Sequence, residues 1–226
     1  MRRVVFEARP GVIAPIRIAL LPGAYQEPED FGREGFAAAV ESRGLAIDLE
    51  FIAADLGHLL DRSVIDALRR EFVMPARQSG CREVWLGGTS FGAYIALAYA
   101  EQRPSDLDGL CLLAPYLGNR LVTGEITRAG GLRAWQPTAI AADDEERRIW
   151  ALLRRLPSER LRVHLGLSRQ DRFRHGHVLL ATALPVGASD IVDGGHDWPT
   201  WRCLWNLFLD RFGSPPAGPA PRTPGV

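Results

Sequence analysis

The sequence predicts an α/β protein, a mostly parallel sheet with helices on both faces, built as one domain. Three observations carry this. Short apolar runs rich in strand formers alternate along the chain with stretches of helical apolar spacing. Each intervening helix returns the chain to the same sheet edge, so successive strands run parallel, and parallel strands need cover on both faces. Next, 226 residues with 46% hydrophobic content can bury one substantial core, and that length fits one domain better than two. Finally, the run Val84-Trp85-Leu86 passes through Gly87-Gly88-Thr89-Ser90-Phe91-Gly92 directly into the Ala-rich segment 93–100, a strand, a sharp bend and a helix in one stretch.

In chain order, residues 4 to 8 read as an edge strand, and Ile16 to Leu21 as a stronger one closed by Pro22-Gly23. Residues 29 to 43 carry Phe31, Phe36 and Val40 on one helical side, with Gly44 in a C-cap position. Residues 46 to 52 are the next strand. Leu60, Val64, Ile65, Leu68 and Phe72 then mark an amphipathic helix from His58 to Phe72. After the 84–100 unit, the runs Leu110 to Ala114, Leu161 to Leu167 and Val186 to Val192 complete the strands. A last helix carries Trp201, Leu204, Trp205 and Phe208, with Asp197 and Pro199 as its cap and first turn.

The interval from Pro115 to Pro157 is too long for a plain crossover. Its Gly130-Gly131, Trp135 and Pro137 suggest an irregular excursion. Residues 142 to 155 suggest a helix, with Asp143, Asp144, Glu145 and Glu146 at its start and Arg154 and Arg155 at its end, in the order the helix dipole favours. The segment 119–156 is therefore expected to be a small lid over the strand ends, with an ordinary surface helix after a long loop as the alternative. Residues 213–226 hold five prolines and no core pattern, so they read as a disordered tail and leave residues 1–212 as the domain.

Composition removes several functions. Lys+Arg and Asp+Glu balance at 27 each, so no net field draws the chain to nucleic acid or anionic lipid. All 27 basic residues are arginine, and without lysine there is no Schiff-base or pyridoxal-phosphate chemistry and no Walker A loop. A dinucleotide fingerprint starting at Gly87 would need glycine where Thr89 stands. No cofactor is expected. Cys81, Cys111 and Cys203 form no C-x-x-C pair and are expected to be buried, reduced thiols. His175 and His177 make an H-x-H pair with no third ligand in view, so no metal is expected. Glu7, Arg9 and Pro10 interrupt any signal core after Met1-Arg2-Arg3, and no run of about 18 apolar residues exists. The expectation is a soluble cytoplasmic protein with no membrane span and with an oligomeric state the sequence leaves open.

The chemistry begins at Gly88-Thr89-Ser90-Phe91-Gly92, a G-x-S-x-G at the bend between strand and helix. The bend residue is forced toward positive φ and its side chain projects off the sheet end, while a β-carbon at either glycine would clash with the neighbouring strand or helix. The N–H groups that open the helix face whatever Ser90 attacks, which supplies half of an oxyanion hole. A serine hydroxyl needs an imidazole to take its proton and an acid to hold that imidazole. Of five histidines, His58 opens a helix and His164 lies inside a strand, where a hydrogen-bonded core role is expected. His196 instead follows the last strand, in a loop loosened by Gly194 and Gly195. Asp171 lies beyond the preceding strand, giving the order Ser, Asp, His on three strand-end loops.

Together Ser90 within G-x-S-x-G, the strand-end Asp171 and the Gly-Gly-His196 loop resemble the α/β-hydrolase superfamily over residues 16 to 212. The resemblance implies a Ser90–His196–Asp171 triad acting on a carboxylic ester or thioester, with a small-molecule acyl substrate. It also implies an oxyanion hole of Phe91 N–H and, from the loop after an early strand, Ala24 N–H. Many relatives carry histidine where this chain has Pro22, and the Tyr25 hydroxyl is the alternative donor. Room for only one early edge strand implies a small sheet. Trp135, Ile149, Trp150 and Leu153 would either face an apolar acyl group or pack the lid onto the body. A non-catalytic binding module on the same fold, an acyltransferase and a lyase remain the other readings.

Overall fold

A computed structural model of the chain describes residues 1–53, 63–156 and 160–213. Seven strands among them form one sheet: β1 (Arg3–Phe6), β2 (Ile16–Leu21), β3 (Ile47–Ile52), β4 (Glu83–Thr89), β5 (Gly109–Leu113), β6 (Arg162–Ser168) and β7 (Ser189–Val192). Their order is β1-β3-β2-β4-β5-β6-β7, with β1 antiparallel to β3 and every other neighbouring pair parallel. The expected α/β architecture is observed, and the single edge strand at the N-terminus is present.

Side chains alternate across the pleat, so each strand feeds two cores. Ala19, Leu21, Val84, Leu86, Leu110 and Leu112 point to one face, under helices α3 (Ser63–Leu68), α5 (Ser90–Gln102) and α7 (Glu145–Arg155). Ile18, Leu20, Trp85, Cys111 and Leu113 point to the other, under α1 (Pro28–Arg33), α2 (Phe36–Ser42) and α9 (Trp198–Gly213). Ala93 to Ala100 of α5 are all buried, and the small side chains let this helix lie close on the sheet. Three further α-helices are α4 (Met74–Gln78), α6 (Arg120–Arg128) and α8 (Arg174–Ala181), and a 3₁₀ turn spans Pro104–Asp106. Because β2 lies between β3 and β4, the chain leaves β2 in one direction and returns on its other side. A strand order that reverses in this way opens a crevice at the carboxyl ends of β2 and β4.

Several boundaries differ from expectation for local reasons. The helix expected over 29–43 is two helices, because Gly35 adopts the left-handed conformation at φ 79°. The next helix, expected to end at Phe72, continues past Pro75 through a π turn over Arg69–Val73, with Met74 N–H bonded to Arg69 O. Proline supplies no N–H to the carbonyl of Glu71, and the Arg3 guanidinium satisfies that oxygen at 2.9 Å. His58 and Leu60, placed in the same helix, lie outside the described residues, as do Pro157 and residues 214–226 of the expected tail. Gly213 still belongs to α9. The helix expected from 142 starts at Glu145, with Asp144 capping Arg147 N–H at 3.1 Å. Val186, expected to open β7, is exposed in the turn before it. Cys81 and Cys111 are buried, but Cys203 is exposed because it falls on the outer side of α9.

The segment 119–156 is tied into the body. Trp135, Ile149, Trp150 and Leu153 are buried in the same core as α5, and Trp150 Nε1 donates to Leu117 O at 2.9 Å. Glu125 accepts from Trp135 Nε1 at 2.8 Å and from Arg147 at 2.8 and 3.0 Å, which clamps the irregular turn between α6 and α7. These four apolar side chains therefore pack the segment onto the body and present nothing to an acyl chain. Trp150→Ala is accordingly expected to cost about 3–5 kcal/mol of stability, from a cavity plus an orphaned carbonyl. Denaturant midpoints check this. A near-native midpoint with an altered acyl-length preference would return Trp150 to the substrate.

His164 corrects a second expectation. It is buried in β6, yet neither ring nitrogen has a hydrogen-bond partner among the described residues, and Asp190 Oδ2 stands 3.7 Å from Nδ1. Burial, reinforced by the nearby Arg211 charge and opposed by Asp190, pushes its pKa down from 6.5 to about 4. The unfolded chain therefore takes up a proton near pH 6.5 while the folded one resists until about pH 4, and stability falls across that window. The expected loss at this site is roughly 3 kcal/mol. Comparing unfolding free energies at pH 7 and pH 4 in the parent and in His164→Phe isolates it, since effects independent of pH cancel; equal acid losses in both would refute it.

Candidate active site

β4 runs into α5 with no connecting residue, and Ser90 takes up the bend at φ 50°. Register explains the glycines beside it. Leu21 of β2 pairs with Gly88, so a β-carbon on Gly88 would come within 2.2 Å of Leu21 O, and one on Gly92 within 2.0 Å. Three non-glycine residues among those described have positive φ: Tyr25 after β2, Ser90 after β4 and Ala114 after β5. All three stand at the carboxyl edge of the sheet, where strain collects at sites built for function.

His196 arrives from the loop after β7. Its Nε2 lies 2.8 Å from Ser90 Oγ, and its Nδ1 lies 2.8 Å from Asp171 Oδ2, in the loop after β6. The Asp171 side chain is fully buried and that of His196 is 9% exposed. A carboxylate only accepts, so Nδ1 carries the proton and Nε2 is left to accept from the serine hydroxyl. The second Asp171 oxygen accepts from Phe173 N–H at 2.7 Å. Burial raises the Asp171 pKa, but the hydrogen bonds from His196 and Phe173 together outweigh it and hold the carboxyl below its ordinary value.

The other candidates go elsewhere. Asp193 is 81% exposed and pairs with Arg169 at 3.2 Å, and Asp197 caps α9 through Thr200 N–H at 3.0 Å. The H-x-H pair diverges, His175 to Thr127 Oγ1 at 3.0 Å on the surface and His177 to Pro115 O at 2.7 Å inside. No group of three potential ligands that could hold a metal occurs among the described residues.

Sequence reasoning missed the residues that hold these loops. Gln170 Oε1 accepts from Gly194 N–H at 2.6 Å while Gln170 N–H donates to Gly194 O at 3.2 Å, and Ser168 Oγ donates to Gly195 O at 3.1 Å. The histidine loop is thereby fastened to the aspartate loop. The rings of Phe173 and Trp201 meet the His196 ring edge-on at 5.0 and 5.2 Å and restrict its rotation. Gln26 and Thr89 both accept from Gly23 N–H, at 2.8 and 3.1 Å, and fix the loop after β2. A β-carbon on Gly23 would stand 3.3 Å from Ser90 Cβ, so this loop passes directly beside the serine. Ala24 N–H has no acceptor among the described residues, whereas Tyr25 is fully exposed.

No protein-family model and no curated protein sequence matches the chain. Solved structures do match its fold. They include a fluorophosphonate-binding serine hydrolase F of Staphylococcus aureus, captured with substrate, at 10% identity over 91% of this chain and 87% of that one, TM-score 0.59. An S-formylglutathione hydrolase of Staphylococcus aureus matches at 11% identity over 90% and 83%, TM-score 0.59. The mouse alpha/beta hydrolase domain-containing protein 10 matches at 14% identity over 92% of each chain, TM-score 0.53. The chain has the α/β-hydrolase fold. Among the described residues no helix is long and apolar enough to cross a membrane.

Proposed function

We propose that the protein is a serine hydrolase that cleaves a carboxylic ester or thioester through Ser90, His196 and Asp171. The observation that carries this reading is the unbroken chain of two 2.8 Å contacts from Ser90 Oγ through the imidazole to a buried carboxylate. Ser90 Oγ attacks the carbonyl carbon as His196 Nε2 takes its proton, and the carbonyl electron pair becomes an oxyanion. Phe91 N–H at the opening of α5 and the unpartnered Ala24 N–H would hold that oxyanion. Asp171, ionised and dry, stabilises the imidazolium and keeps its tautomer. Collapse breaks the bond to the leaving alcohol or thiol, which takes the proton from Nε2. Water then repeats the sequence on the acyl-enzyme, releasing the acid and restoring Ser90. Residues 119–156 would cover the site as a fixed wall, in keeping with their burial on the body.

Neighbours described as serine and S-formylglutathione hydrolases support this class of chemistry at the level of fold. Labelling with a fluorophosphonate, with the modified residue located by peptide mass, tests the nucleophile; a panel of nitrophenyl esters and acyl thioesters then ranks substrates. A folded protein that takes up no label at Ser90 and turns over no ester in the panel is a binding module on this fold.

A further inference from the structure

A cavity of about 330 Å³ opens between the first turns of α6 and α8, lined in part by Leu117, Arg120, Thr123, Arg172, Phe173 and His175. It adjoins the triad. Arg172 directly follows Asp171, and the Phe173 ring that forms one wall meets the His196 ring edge-on at 5.0 Å. The opposite wall begins at Leu117, one residue past Tyr116, whose N–H bonds Ser90 O at 2.9 Å.

The charge of this cavity is one-sided. Two arginines and a histidine line it, and no acidic residue does. Most arginines of this electrically balanced chain have carboxylate partners, yet the side chains of Arg120 and Arg172 have none among the described residues. The Arg172 guanidinium lies over the Phe173 ring at 4.9 Å, which orients it without neutralising it. Two carboxylates lie behind its walls and are hydrogen-bonded to other groups: Glu146, behind Gly118, accepts from Asn119 N–H at 3.1 Å, and Asp171 accepts from His196. An uncharged acyl chain would leave both exposed guanidinium groups to water, whereas a carboxylate would find two charge-assisted donors.

Resting on the ester-hydrolase reading, we propose that the substrate is anionic: an ester or thioester carrying a carboxylate away from the scissile bond, received between Arg120 and Arg172. The test compares two nitrophenyl esters of equal chain length, the mono-glutarate and the neutral valerate. The ratio of their kcat/KM values should favour the glutarate and shrink with added salt. It should fall about fivefold in Arg120→Gln and in Arg172→Gln, each an exposed cation, mainly through KM for the glutarate. A ratio favouring valerate, or one unmoved in the Arg120→Gln/Arg172→Gln double variant, overturns the proposal while leaving the hydrolase reading intact. If neither ester turns over, fluorophosphonate labelling of Ser90 decides the hydrolase reading, and calorimetric binding of glutarate decides the anion site: binding weakened in the double variant upholds it, and no such difference overturns it.

Discussion

Ser90→Ala is expected to abolish fluorophosphonate labelling and to lower kcat/KM on a good ester by roughly a thousandfold or more, with a melting temperature close to that of the parent. The magnitude follows from what remains. Without Oγ there is no acyl-enzyme, and only binding and oxyanion donors are left to assist direct attack by water, through a histidine placed for a different nucleophile. Stability should hold because alanine suffers at φ 50° much the same strain as serine, and the bend is imposed by packing at Gly88 and Gly92, which the substitution leaves untouched. The methyl group also fits where the serine Cβ already rests, beside Gly23. A folded Ser90→Ala protein that keeps most of its esterase activity would sink the mechanism, because among the described residues no other hydroxyl is bonded to the imidazole nitrogen facing the elbow.

The elbow was legible because its constraint is local: two glycines with no room for a β-carbon and a strand that becomes a helix leave one residue for the bend. The inner strands were legible as apolar or alternating runs of strand formers, and β1 and β7, at the two edges, are the short, partly exposed ones. What the sequence hid depends on partners distant along the chain. Nothing about Gln170 or Ser168 in isolation reveals that they fasten the histidine loop, since their acceptors and donors sit 24 and 27 residues away. The continuation past Pro75 was hidden for the same reason, because the carbonyl it orphans is satisfied by Arg3 at the far end of the chain. Trp150 illustrates the remaining ambiguity. Helical spacing puts Ile149, Trp150 and Leu153 on an apolar surface, but whether that surface meets a substrate or a core depends on the position of α5, which periodicity does not encode.

Asp171→Asn is expected to lower turnover by roughly a thousandfold with little change in stability, and the reason lies in the two bonds of the carboxylate. One oxygen accepts from Phe173 N–H at 2.7 Å and the other from His196 Nδ1–H at 2.8 Å. An amide has one acceptor oxygen and one donor nitrogen, so it cannot accept in both places. The backbone N–H cannot change its role, so the amide oxygen stays with Phe173 and the NH₂ group turns to His196. Nδ1 must then become the acceptor, which moves the imidazole proton to Nε2, and a protonated Nε2 cannot take the proton of Ser90. The fold keeps both hydrogen bonds, which is why stability should barely move. Asp193→Asn is the matched control: its carboxylate is exposed and faces Arg169, so the loss should be at most about tenfold. Both variants assayed on one good ester decide the matter. A severe loss at Asp193 with near-normal turnover at Asp171 would transfer the acid to the histidine's own loop.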